Sequence, residues 1–232
     1  SKMMQQSQVE VLKSETSYRV MPGNYINRNE KLEGDWSSAS FLYALVSLSN
    51  EADLVIDNLN LNSLQGDKVV ADIFNQLGVM TEANTSGVRL SKQLQQSDNF
   101  ELDMRHYPDL FPPVLAVCAA KQMHAHLRGL KSLRLKESNR IEAMCYNLGL
   151  MGYQFEETED ELVLLKKNQD VHDEAPIRFK SFDDHRIAMA MSLFAYRSPI
   201  YIEGSETVSK SYPEYWHLFN QLFGVITEEI SE

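Results

Sequence analysis

The chain has 232 residues, 43% hydrophobic and 24% charged, which is enough apolar material for a buried core in one large domain or two small ones. Its formal net charge is −11, so neither a nucleic acid nor a membrane surface is the expected partner, although a few clustered cations can still hold a small anion. The longest apolar run, Ile187–Tyr196, is about half of what a membrane span needs, and Ser1–Gln8 lacks the apolar stretch of a secretory signal, so the chain reads as soluble and cytoplasmic.

In chain order, Val9–Leu12 and Ser17–Val20 read as a hairpin that closes an earlier unit, so the chain is expected to be a piece of a longer protein. Asp35 then opens a helix that is apolar nearly all round, as in Phe41–Val46. A strand over Ala52–Leu59 follows, with Leu54 and Ile56 on one face and Asp53, Val55 and Asp57 on the other. A second helix over Asp67–Leu77 ends at Gly78, and Val79–Thr85 with Gly87–Lys92 forms a hairpin.

The same order recurs. Asp109 opens a helix whose first turn holds Pro112 and Pro113, where a missing N–H costs little. A strand over His124–Leu130, a helix over Lys136–Leu150 ending near Gly152, and a hairpin of Tyr153–Glu157 and Glu161–Lys166 come next. Asp183 opens the third round, with a strand at Pro199–Gly204, a helix at Ser211–Phe223 before Gly224, and one closing strand at Val225–Ile230.

The opening aspartates stand 74 residues apart, at positions 35, 109 and 183, and each is expected to cap its helix with a carboxylate. The periodicity predicts an α/β fold of three repeated βαβαββ units, with buried inner helices and outer sheets.

Such repeats deliver equivalent helix starts to one end of the domain, and helix starts attract anions. Lys136 and Arg140 fall in the first turns of one predicted helix, Arg186 in the first turn of another, and Lys210 just before a third. Asp109 and Glu137 lie at the same end. Cations with two carboxylates suit phosphate and carboxylate recognition coupled to proton transfer. His185 adjoins Arg186 and either packs or lines the site. The other histidines, His106, His124, His126, His172 and His217, form no metal-ligand set. Cys118 and Cys145 sit in apolar stretches as buried free thiols. P-loop, dinucleotide and serine-hydrolase signatures are absent from the sequence.

These residues also fall in recognisable strings. Leu133-Arg134-Leu135-Lys136-Glu137-Ser138-Asn139-Arg140-Ile141 resembles the LRxKESDRI motif of the 3-phosphoshikimate 1-carboxyvinyltransferase (EPSP synthase) family. Asp183-Asp184-His185-Arg186-Ile187-Ala188-Met189-Ala190 is similar to its DHRIAMA motif, and Glu33–Ser40 to its EGDxSSAS segment. Asn62–Asp67 resembles its NSxQGD turn and Ser209–Pro213 its SKSYP segment, while Pro108-Asp109 falls where the family has its catalytic aspartate.

The resemblance implies a lobe of three βαβαββ units. Residues 1–20 would be the tail of an N-terminal lobe outside this chain, and residues 21–232 the C-terminal lobe. It implies transfer of the enolpyruvyl group of phosphoenolpyruvate to shikimate 3-phosphate, without cofactor or metal. Asp109, Glu137 and Lys210 are then the expected catalytic residues. Lys136 is expected on shikimate 3-phosphate, Arg140, Arg186 and Lys210 on phosphoenolpyruvate, and Asp109 and His185 along the same pocket. Asn139 departs from the family's aspartate, and Ser132 stands where some members have an amide. The alternatives are an enolpyruvyl transferase acting on a UDP-amino sugar and a non-catalytic anion-binding module.

Overall fold

The computed structural model describes residues 2–26, 32–165, 167 and 176–223. A short helix α1 (Lys2–Gln6) and a hairpin of β1 (Val11–Lys13) and β2 (Tyr18–Val20) precede the main body. The hairpin agrees with the sequence reading to within a few residues.

Three inner helices follow, α2 (Trp36–Leu48), α4 (Phe111–Ala120) and α6 (His185–Ser192). Every residue of α4 is buried, as are the stretches 39–47 of α2 and 187–192 of α6, because α4 packs against both of the others. A helix without a polar face is stable only where all its sides are covered, and each large side chain buried there contributes about 1.5–3 kcal/mol.

Three sheets lie around these helices. The middle unit is complete. It runs β6 (Asn99–Asp103), α4, β7 (His124–Arg128), α5 (Arg140–Leu150), β8 (Phe155–Glu157) and β9 (Glu161–Leu164), in sheet order β6-β7-β9-β8. The pair β6 and β7 is parallel, with α4 as crossover, whereas β9 is antiparallel to both of its neighbours. The first unit supplies α2, β3 (Asp53–Asp57), α3 (Val70–Gln76), β4 (Val79–Ala83) and β5 (Gly87–Lys92), in sheet order β3-β5-β4. The third supplies β10 (Ile177–Lys180), α6, β11 (Ile200–Glu203) and α7 (Tyr215–Phe223), with β10 and β11 parallel. The strand expected at Val225–Ile230, Gly224, Lys166 and His172 lie outside the described residues.

Asn147 fastens the second unit to the third. From a buried position on α5 it donates to the Lys180 carbonyl at 2.8 Å and accepts the Lys180 N–H at 2.9 Å, so a side-chain amide takes the place of a neighbouring strand. Gly78, just past α3, has φ +92°, and a Cβ there would lie 2.8 Å from the Gln93 carbonyl oxygen. Only glycine satisfies both demands.

The outer helices start later than their sequence patterns suggest. Gly66–Val69 is a 3-10 turn before α3, Lys136 ends another 3-10 turn over Lys131–Leu135, and α7 begins at Tyr215. The local reasons are visible. Asn139 caps α5 by accepting the Glu142 N–H, which sets the first helical residue at Arg140. Tyr212 precedes Pro213, which disfavours helical backbone at Tyr212.

The opening aspartates also divide. Asp35 caps α2, accepting the N–H groups of Ser37 at 3.0 Å and Ser38 at 3.2 Å. At α6 the cap is Asp184, which accepts the Arg186 N–H at 2.9 Å, while Asp183 sits at φ +55° outside the helix. Asp109 caps nothing. It lies in a 3-10 turn, Pro108–Leu110, ahead of α4. Pro112 and Pro113 carry no N–H, so the start of α4 asks less of a capping carboxylate, and Asp109 is left for other partners.

Candidate active site

The N-terminal ends of α4, α5 and α6 meet around one guanidinium. Arg140, the first residue of α5, has a side chain only 1% exposed. Its Nε donates to Asp184 Oδ2 at 2.8 Å, its Nη1 to Asp109 Oδ1 at 2.7 Å and its Nη2 to Glu137 Oε2 at 2.7 Å. A buried charge is tolerated only when paired and hydrogen-bonded, and here all three nitrogens have carboxylate partners. Asp184 is itself completed by Ser138 Oγ, which donates at 3.1 Å.

Asp109 is the second hub. Lys136 Nζ lies 3.1 Å from Oδ1, and Arg186 Nη2 lies 3.6 Å from Oδ2. Arg186 also donates to the Asp109 carbonyl at 3.5 Å. Burial opposes the charge on Asp109, but Arg186, Arg140 and Lys136 together outweigh it and hold the carboxyl below its ordinary range. The side chains of Lys136 and Asp109 are 29% and 31% exposed and that of Arg186 12%, so this part of the cluster opens to solvent while Arg140 is its floor.

His185 starts α6 beside Arg186. Burial, then the Arg186 charge, lowers its pKa below the usual histidine value, so its ring is neutral at pH 7. It can line a site or exchange a hydrogen bond, and it adds no positive charge there.

Of the four cations expected together, Lys136, Arg140 and Arg186 share Asp109. Lys210 is exposed at the end of the 3-10 helix Ser205–Lys210, rather than ahead of a helix start, and has no ion pair among the described residues. That 3-10 helix packs on α6 and is tied to its start by Thr207 Oγ1, which donates to the Asp183 carbonyl at 3.1 Å.

Two carboxylates here escaped the sequence reading. Asp184 stood next to the aspartate that had the expected spacing, and an adjacent pair offers no local sign of which one caps. Asp67 accepts a short hydrogen bond from Ser37 Oγ, 30 residues away, and feels the charges of Asp109 and Arg186. Burial chiefly, with Asp109 and Asp35, raises its pKa against the opposing Ser37 and Arg186 contributions. The first unit thus adds to the neighbourhood a carboxyl whose pKa is raised, and only packing reveals it. Ser132 lies in the Lys131–Leu135 turn, exposed.

Among the described residues no group of three His, Cys, Asp or Glu could hold a metal, and no helix is long and apolar enough to cross a membrane. His126 pairs with Glu161 at 2.8 Å on the outer face of its sheet. Cys118 is buried and Cys145 half-buried, both as free thiols.

Comparison with known proteins adds the following. The family model described as EPSP synthase (3-phosphoshikimate 1-carboxyvinyltransferase) matches residues 1–219. A 3-phosphoshikimate 1-carboxyvinyltransferase of Bacteroides fragilis is 34% identical over 204 residues, covering 88% of this chain and 50% of that protein. One from Dehalococcoides mccartyi is 30% identical over 212 residues, covering 91% of this chain and 48% of that protein. The chain therefore spans about half the length of the curated relatives it matches. Among solved structures, an EPSP synthase from Acinetobacter baumannii superposes with TM-score 0.74 at 25% identity, over 95% of this chain and 53% of that one. An enolpyruvyl transferase from Streptomyces tendae, at TM-score 0.67, 11% identity and coverage of 96% of this chain and 51% of that one, shares the fold.

Proposed function

This chain belongs to the EPSP synthase family, and on that footing we propose that it is the C-terminal lobe of an enzyme that moves the enolpyruvyl group of phosphoenolpyruvate onto shikimate 3-phosphate. Residues 21–232 form that lobe, and residues 1–20, with the β1–β2 hairpin, belong to the end of an N-terminal lobe that completes the site. The observation that carries the reading is the convergence on Asp109 of three cations from separate segments, Lys136, Arg140 and Arg186.

In the addition half of the reaction a substrate hydroxyl gives up its proton, its oxygen bonds to the enol carbon, and the methylene takes a proton. In the elimination half that methyl group loses a proton and the bond to phosphate breaks. Asp109, ionised because its cations outweigh its burial, accepts the hydroxyl proton. Glu137, whose side chain is 49% exposed, serves the methylene carbon.

Lys136 turns from Asp109 to the phosphate of shikimate 3-phosphate. Arg186 and Lys210 take the anionic groups of phosphoenolpyruvate, and Arg140 joins them through the edge that Glu137 leaves when it swings out. His185, neutral, lines the pocket. Once placed by substrate binding, the cations stabilise the departing phosphate without further reorganisation, which is where such a site gains most of its rate. No cofactor or metal enters this scheme, the substrates are small anions rather than nucleic acid or membrane, and the lobe works in the cytoplasm.

The test is phosphate release from phosphoenolpyruvate by this chain joined to its N-terminal lobe. Turnover with shikimate 3-phosphate, reduced about 100-fold or more in Asp109→Asn, supports the reading. Turnover only with a UDP-amino sugar overturns the acceptor, and none with either acceptor leaves an anion-binding module.

A further inference from the structure

The opposite end of the inner helices carries a second set of cations. Lys92, at the end of β5, donates to the Ser47 carbonyl in the last turn of α2. Lys121, which follows α4, donates to the Leu77 carbonyl at 2.7 Å, just past α3, and Arg197 donates to the Ala120 carbonyl that ends α4. The three line one cleft of about 380 Å³, together with Ser49 and Gln122.

Three features distinguish this cleft from ordinary helix capping. No carboxylate lines it, in a chain with 33 acidic residues, and none of its three cations has an ion pair among the described residues. Each carbonyl bond occupies one donor, while an ammonium has three and a guanidinium five. The helix ends offset only part of the charge. A helix terminus is worth about half a unit charge, so three of them balance about half of three cations.

Burial, then the Lys92 charge, pushes Lys121 down to about 8, with no nearby carboxylate to oppose it. Lys92, lowered by its own burial, likewise has no acidic neighbour acting on it.

We infer that this cleft is a second anion site, separate from the Asp109 cluster, that takes a small phosphate-class dianion between Lys92, Lys121 and Arg197. The bound oxygens use the idle ammonium and guanidinium donors, with Ser49 and Gln122 on the rim. The anion supplies the counter-charge that the surrounding chain does not, so its seat is predetermined by the ends of α2 and α4. The inference is independent of what reaction the Asp109 cluster performs.

Titration of the 232-residue chain with inorganic phosphate, followed by amide NMR against chloride at equal ionic strength, tests it. The expected result is saturable movement of the Ser49, Asn50 and Gln122 amides. The affinity should fall about tenfold, the loss of one charge-assisted contact, in Lys121→Gln. Arg197→Gln is a second variant at an exposed position, so a folding defect in Lys121→Gln does not decide the matter. Shifts near Arg186 should be unchanged in both. Amides at this end that stay still, that move equally with chloride, or that move undiminished in both variants overturn the site.

Discussion

Asp184 and Arg140, 44 positions apart, meet at 2.8 Å with side chains 0% and 1% exposed, and this pair sets the floor of the candidate active site. Asp184 caps α6 with one oxygen and holds the first residue of α5 with the other, so one carboxylate joins two helix starts.

Removing that carboxylate strands a buried guanidinium charge on one side. Asp184→Ala is expected to cost about 3–5 kcal/mol, the range for breaking a buried pair from one side. Urea denaturation of the isolated chain checks it. A loss under about 1 kcal/mol would show that Asp109 and Glu137 suffice to hold Arg140.

At Asn139 the capping role separates hydrogen bonding from charge. Asn139→Ala should lower stability by about 0.5–1 kcal/mol, because the Glu142 N–H loses its acceptor, whereas Asn139→Asp should keep it. Equal losses in both variants would remove capping as the explanation.

Asp109 and Asp67 should pull the acid stability in opposite directions. The pKa of Asp109 is depressed, so its stabilisation is complete above the ordinary value of 3.8 and is lost as pH falls through the folded value. The pKa of Asp67 is raised, so its ionisation weakens the fold as pH climbs from 3.8 through its folded value. Side-chain NMR titration should show Asp67 protonating above that value and Asp109 below it. The reverse order would refute the charge arrangement described for the site.

Phosphate should bind the Asp109 cluster more tightly when Asp109 itself is removed as a competitor. In Asp109→Asn, Lys136 and Arg186 lose the carboxylate that now occupies them, so millimolar phosphate should move the Arg186 amide at lower concentration than in the parent chain. Weaker binding in that variant would mean that Asp109 organises the cations rather than competing for them.

The isolated chain is expected to fold and yet release no phosphate from phosphoenolpyruvate and shikimate 3-phosphate. Its buried inner helices supply a core of their own, but the exposed sides of Lys136 and Asp109 need a second wall to exclude water. Turnover by this chain alone would show that no further lobe is needed.

Much of this architecture was legible along the chain. Phe41–Val46 and Phe111–Ala120 are apolar on every side, which calls for burial at the centre. Leu54 and Ile56 alternate with Asp53, Val55 and Asp57 on the more exposed face of a half-covered strand, and Gly78 and Gly152 mark helix ends with positive φ. These signals are local, because side-chain period and backbone preference are fixed within a few residues. The recurring spacing of the aspartates pointed to the end of the domain where Asp109, Lys136, Arg140 and Arg186 meet.

What each residue does there was decided by packing. Asp183 had the spacing, yet Asp184 makes the cap; Arg140 read as an anion-binding cation at a helix start, yet its guanidinium is paired with three carboxylates; Lys210 read as standing just before a helix, yet it ends a 3-10 turn. The Arg140 outcome rests on partners 31 and 44 positions away. Sequence alone determined most of the helices and strands and which faces are covered, though not where the outer helices begin, because those choices are made within a turn or two of chain. The charge pairing belonged to the tertiary structure, since Coulomb energy depends on distances that exist only after the helices have docked.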